Sequence, residues 1–141
     1  MNSVVTILVV EDNPGDVFLI RRALKSLEMP YALAVMDDGQ SALTYLEDAE
    51  REGITPSLIL LDLNLPKIGG ASVLDGIRQN PRYKGLPVII MTSSDSPMDH
   101  AMVAQLHADH YFRKPRDLDG FMQLGQIVGD FLKTSQEEQT A

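Results

Sequence analysis

The tightest constraint in this chain is the stretch Leu58 to Pro66, which reads Leu-Ile-Leu-Leu-Asp-Leu-Asn-Leu-Pro. Four consecutive apolar residues without polar alternation describe a strand covered on both faces. The run ends abruptly in a carboxylate, Asp62. Pro66 then breaks regular structure, and Gly69-Gly70 follow. Asp62 is therefore expected at the carboxyl end of a central strand, the edge where open α/β sheets bind their ligands. An aspartate in that position either opens a turn or carries chemistry.

The same design recurs along the chain. Val4 to Val10 is β-branched and apolar and ends in Glu11-Asp12-Asn13-Pro14-Gly15-Asp16. Val88 to Met91 ends in Thr92-Ser93-Ser94, and two shorter strands are expected at Tyr31 to Met36 and His110 to Arg113, the latter followed by Lys114-Pro115. Helical periodicity fills the intervals. Asn13 as N-cap and Pro14 at the first helical position start a helix with Val17, Ile20, Leu24 and Leu27 on its apolar face, ending near Glu28. Ala42, Leu43, Leu46 and Ala49 mark a second helix. Residues 71–80 form a third, with Val73, Leu74 and Ile77 facing in. A weaker fourth covers Pro97 to Leu106, with Met98, Met102, Val103 and Leu106 as its apolar residues. The last runs from Leu118 to Lys133 with Leu118, Phe121, Leu124, Val128 and Phe131 inward. Five strands alternating with five helices predict an α/β domain, a parallel sheet with helices on both faces. The domain is expected over residues 4–133, with a polar tail at 134–141.

Composition removes several functions. The absence of cysteine excludes a disulfide framework, a thiolate metal site and a cysteine nucleophile. A formal charge of −8 argues against nucleic acid as a partner. No apolar run approaches the roughly 20 residues of a membrane span. Met-Asn-Ser passes straight into the first strand without a basic leader. A soluble, cytoplasmic protein without membrane or nucleic-acid partners is the expectation.

In a parallel sheet all carboxyl ends lie along one edge, which brings Glu11, Asp12, Asp62, Thr92 and Lys114 together if their strands are neighbours. Converging carboxylates repel unless a cation sits among them, and an all-oxygen acidic set suits Mg²⁺. A lysine offers a point charge to a phosphate oxygen, and a threonine a hydroxyl. These parts suit phosphoryl transfer to a carboxylate, with Asp62 as nucleophile.

At this point the chain resembles the receiver domains of two-component response regulators. The residues that carry the resemblance are Val-Val-Glu-Asp-Asn at 9–13, Leu-Leu-Asp-Leu-Asn-Leu-Pro at 60–66, Met-Thr-Ser at 91–93 and Tyr-Phe-Arg-Lys-Pro at 111–115. The resemblance implies a flavodoxin-like five-stranded sheet of order 2-1-3-4-5. It implies Asp62 as phosphoacceptor, Asp12 as a direct Mg²⁺ ligand and Glu11 as a ligand through water. Asp62 and the backbone carbonyl of Asn64 would complete the protein's share of the metal site. Thr92 is implied as the switch hydroxyl, Lys114 as the partner of Asp62 and then of phosphate, and Tyr111 as the aromatic switch. The peptide bond before Pro115 is implied to be cis. Glu-Asp-Asn-Pro-Gly-Asp at 11–16 and Leu-Pro-Lys-Ile-Gly-Gly at 65–70 resemble stand-alone regulators paired with phytochrome-type sensor kinases. The implied partners are thus a sensor histidine kinase, a downstream protein, and a second copy meeting through the fourth helix, fifth strand and fifth helix. His107-Ala108 departs from the family's usual Gly-Ala; a histidine can take a left-handed backbone position only at some strain, so the resemblance does not extend to the turn before the fifth strand.

Rival functions fit less well. A Mg²⁺-dependent aspartyl-phosphate phosphohydrolase usually carries a second carboxylate two residues after its nucleophile, where this chain has Asn64. A flavin-phosphate binder would need hydroxyls and glycines in the first loop, which here carries two acids. A degenerate, structural receiver conflicts with the complete set of acids, threonine and lysine. His100, His107 and His110 are read as turn or solvated residues, not as metal ligands.

Overall fold

The structure is a computed structural model that describes residues 4–66, 68–93 and 96–140, with residues 135–140 as backbone only. The first three residues, Lys67, Ser94, Asp95 and Ala141 lie outside the described residues. Strands β1 (Val5–Val10), β2 (Tyr31–Met36), β3 (Leu58–Asp62), β4 (Val88–Thr92) and β5 (His110–Arg113) alternate with helices α1 (Pro14–Leu24), α2 (Gly39–Glu52), α3 (Gly70–Gln79), α4 (Pro97–Gln105) and α5 (Leu118–Thr140). All strand pairs are parallel, as the alternation of strands and helices predicts, and the order is β2-β1-β3-β4-β5, the doubly wound order that the family resemblance implies.

The continuous apolar strands divide their side chains by parity, as the two-residue period of a strand requires. Leu8, Val10, Ile59, Leu61, Val88 and Ile90 pack with Ala42, Leu46, Val73, Leu74, Ile77 and Val103, so α2, α3 and α4 cover one face. Ile7, Val9, Leu58, Leu60, Ile89 and Met91 pack with Ile20, Leu24, Phe121, Leu124, Val128 and Leu132, so α1 and α5 cover the other. The central strands β3 and β4 are buried along their whole length. Register places Leu61 beside Val10 and Asp62 beside Met91, which aligns the carboxyl ends of β1, β3 and β4.

Several helix limits differ from the sequence expectation. Helix α1 ends at Leu24, not near Glu28: the Ser26 hydroxyl donates to the Ala23 carbonyl at 3.0 Å and turns the chain early. Leu27 still packs on the α1–α5 side of the core. Helix α5 continues to Thr140, beyond Lys133. On its inner face Leu132, not Phe131, is fully buried, while Phe131 is half-buried and Leu118 is 42% exposed. Helix α4 buries only Val103, and Met98 is 82% exposed instead of facing in. His107 adopts φ 62°, so the left-handed position before β5 is kept although a histidine stands where the family usually has glycine. There is no cis peptide bond among the described residues, so the Lys114–Pro115 bond is trans, contrary to the expectation drawn from the resemblance.

Helices α1 and α5 cross backbone to backbone. A Cβ on Gly125 would lie 2.2 Å from the Ala23 carbonyl oxygen and 2.5 Å from Ser26 Oγ. Gly125→Ala should therefore force the two helices apart and destabilise the fold by about 1–3 kcal/mol in chemical denaturation. Unchanged stability would show that the crossing can relax without cost.

Candidate functional site

Each site residue sits where a strand stops. Glu11 follows β1 and is 1% exposed, Asp62 closes β3 at 4%, and Thr92 closes β4 at 0%. Asp12 beside Glu11 is exposed, at the mouth of the site. Lys114 follows β5, and its backbone N–H donates to the Thr92 carbonyl at 2.7 Å, which fixes the lysine next to the threonine. The expected convergence is present. Carboxylate oxygens of Glu11, Asp12 and Asp62 lie within 4.8 Å of one another.

The cation among these acids is Lys114. Its Nζ donates to Glu11 Oε1 at 2.5 Å and to Asp16 Oδ2 at 2.8 Å, and stands 3.6 Å from Asp62 Oδ2. The second oxygen of Glu11 accepts from the backbone N–H groups of Asp12 at 3.0 Å and Asn13 at 3.4 Å. Asp62 is held by its own loop: the Asn64 backbone N–H donates to Asp62 Oδ1 at 3.0 Å. The Asn64 side-chain amide donates to Thr92 Oγ1 at 3.3 Å. Asp62 thus presents one tethered oxygen and one oxygen turned toward the lysine. Gly70 lets the β3–α3 loop close over this strand end, since a Cβ there would lie 2.3 Å from the Asp62 carbonyl oxygen.

Electrostatics follow from burial. Burial pushes the Glu11 carboxyl up, to about 8; the adjacent Asp62 adds to the rise and Lys114 opposes it. Burial pulls the Lys114 ammonium down, but its bonds to Asp16 and Glu11 and the charge of Asp62 outweigh that, and it stays above the ordinary lysine range. Two buried unit charges no more than 4.8 Å apart repel by about 3 kcal/mol or more at an effective dielectric constant of about 20. One ammonium does not neutralise Glu11, Asp12, Asp16 and Asp62 together. The donor set is hard and all-oxygen, two of its acids are buried, and Asp12 opens it to solvent, so these residues fit Mg²⁺ or a similar divalent cation. Bound there, such an ion would be held by Glu11, Asp12 and Asp62.

Tyr111 is half-buried and packs against the core on the α4 side. Its ring stacks on His100 of α4 with centroids 3.8 Å apart and planes at 23°. His107 lies in the turn before β5, and His110 meets Phe131 edge-on at 6.3 Å. Among the described residues the candidate metal cluster contains no histidine. The sequence had no separate signal for the His100 stack or for Asp16. Asp16 reads as an ordinary acid in the first turn of a capped helix, and only the three-dimensional approach of Lys114 gives it a role at the site.

A doubly wound sheet with a buried, oriented aspartate at its carboxyl edge, attended by acids, a threonine and a lysine, defines a receiver-type domain. The model of the response regulator receiver domain family matches residues 7–125, and the chain belongs to that family. It is 38% identical over 127 residues to response regulator Rcp1 of Synechocystis sp., covering 89% of this chain and 86% of that one. The crystal structure of the Mn²⁺-bound form of Rcp1 superposes with a TM-score of 0.80, covering 89% of this chain and 92% of that one. The phosphorylated cyanobacterial phytochrome response regulator RcpA superposes with a TM-score of 0.85 at 32% identity, covering 94% of this chain and 96% of that one. No helix among the described residues is long and apolar enough to cross a membrane.

The raised Glu11 carboxyl sets a pH dependence. Its folded-state pKa of about 8 lies above the ordinary value of 4.5, so the folded protein holds the proton more tightly than the unfolded chain. Stability from this group is complete below about 4.5 and is lost as pH rises through about 8. Metal-free protein should therefore lose stability between pH 5 and 9, by roughly a few kcal/mol at most. Glu11→Gln should flatten that slope in thermal or urea unfolding. Parallel slopes for the two proteins would remove Glu11 as its source.

Proposed function

We propose that this chain is a single-domain response regulator in a two-component phosphorelay, accepting a phosphoryl group from the phosphohistidine of a sensor kinase onto Asp62. The observation that carries this is the orientation of one carboxylate. Asn64 tethers Asp62 Oδ1 at 3.0 Å, which leaves Oδ2 facing Lys114 at 3.6 Å in a pocket of acids suited to a divalent cation.

The residues divide the work of the transfer. Asp62 Oδ2 forms a bond to phosphorus as the bond from phosphorus to the donor imidazole nitrogen breaks, and the imidazole leaves with the electron pair. Lys114 and the Thr92 hydroxyl meet the charge on the phosphoryl oxygens. Glu11, Asp12, Asp62 and the Asn64 carbonyl would hold Mg²⁺, which would supply charge neutralisation at the phosphoryl group. The Mn²⁺-bound structure of the relative Rcp1 supports a divalent ion in this family. Attack of water on phosphorus later returns the Asp62 carboxylate and inorganic phosphate. The protein thus acts on itself and is not a turnover enzyme. The phosphohydrolase alternative lacks its general acid, because position 64 is an asparagine whose side chain is engaged by Thr92.

Output is read as a protein contact. Phosphate on Asp62 draws the Thr92 hydroxyl, and Tyr111 turns into the space vacated. Because Tyr111 stacks on His100, that movement disturbs α4, a helix that buries only Val103. The α4–β5–α5 face is the proposed surface for a downstream protein and for a second copy of the chain. Likeness to RcpA supports a phytochrome-type kinase as donor.

Incubation with Mg²⁺ and acetyl phosphate, read by intact mass, tests the acceptor. Wild type should gain one phosphoryl group and Asp62→Asn none. Sedimentation of the same samples should show association only for labelled wild type. Labelling of Asp62→Asn at the wild-type rate would remove Asp62 from the mechanism, and identical sedimentation of labelled and unlabelled wild type would remove the second copy.

A further inference from the structure

Lys114 has more acid around it than the transfer chemistry uses. An ammonium carries three N–H donors. One goes to Glu11 Oε1 at 2.5 Å and another to Asp16 Oδ2 at 2.8 Å, while Asp62 Oδ2 lies farther off at 3.6 Å. Asp16 stands outside the metal cluster formed by Glu11, Asp12 and Asp62. Its backbone is fixed by the helix cap: Asn13 Oδ1 accepts from the N–H groups of Gly15 at 2.8 Å and Asp16 at 3.3 Å. Its side chain is 24% exposed, against 12% for Lys114.

We propose that Asp16 is a positioning residue that holds the Lys114 ammonium to the α1 side of the site, off Asp62, so that the acids remain open to a divalent cation. This rests on the site assignment made above. The competition is direct. Without a carboxylate at position 16, the freed N–H has Asp62 as its nearest remaining acid, and the ammonium settles on Glu11 and Asp62. Both are residues the metal needs. With the ion bound and Glu11 engaged by it, Asp16 is the acid outside the cluster that still pairs with Lys114. The lysine then stays beside the phosphoryl position without blocking it.

The test is a Mg²⁺ titration of the unphosphorylated protein by calorimetry, for wild type, Asp16→Asn and Asp16→Glu, each with Lys114 and with Lys114→Met. Loss of the Asp16 charge alone would weaken Mg²⁺ binding equally whether or not the lysine is present. Positioning predicts that Asp16→Asn weakens binding by about fivefold with Lys114 in place, and by less than about half of that factor with Lys114→Met. Asp16→Glu should recover most of the affinity. Equal weakening in both backgrounds, or no weakening with Lys114 present, would overturn the proposal. The titration needs no phosphorylation, so its outcome is separate from whether Asp62 is the acceptor, which the mass measurement decides alone.

Discussion

The structure depends on one ammonium among four carboxylates. Lys114 touches Glu11 and Asp16 and approaches Asp62, and Glu11 and Asp62 are almost wholly removed from water. Charges so buried are tolerated only when paired and hydrogen-bonded, and breaking such a pair by removing one partner is strongly destabilising. The lysine holds the edge of the sheet closed while leaving it net negative. That residual charge suits the same edge to a divalent cation, beside the aspartate proposed as phosphoacceptor. Stability and function therefore draw on one electrostatic arrangement, and a cation entering the site relieves what the lysine alone does not.

The fold delivers this arrangement by simple means. Parallel register aligns the ends of β1, β3 and β4, so residues 11, 62 and 92 meet although they are far apart in sequence. Helices α1 and α5 approach within backbone contact at Gly125, which seats α1 and with it Asp16 against the sheet edge. The β3–α3 loop folds back on Asp62 because position 70 is a glycine. The bond from Lys114 N–H to the Thr92 carbonyl ties the lysine backbone to the end of β4.

Much of this was legible in the residues. Uninterrupted apolar runs at Leu58 and Val88, bounded by turn residues, suit doubly covered strands, and their polar endings mark the edge where the candidate site lies. Asn13-Pro14 announced the start of α1 through capping chemistry that is local in sequence. What escaped depends on long-range geometry. The early end of α1 follows from the Ser26 bond to Ala23, beside the close approach of Gly125, about 100 residues away along the chain. Met98 and Leu118 fit an inward helical stripe by spacing, yet the helices are rotated so that both face solvent. Asp16 is an acid in the first turn of α1, and its place at the site has no local signal because its partner Lys114 follows β5. The trans bond before Pro115 differs from what family likeness implied, and nothing local to that dipeptide distinguishes the two forms.

The central claim is that Lys114 and a divalent cation perform the same neutralising task at this edge. Urea unfolding of wild type and Lys114→Met, with and without saturating Mg²⁺, tests it most directly. Without metal, the variant should be less stable by about 3 kcal/mol, the cost of stranding buried carboxylates. With Mg²⁺ the difference should shrink by more than half, because the ion supplies the stranded carboxylates with the positive charge that the ammonium no longer gives. A stability gap that is the same with and without Mg²⁺ would contradict the account.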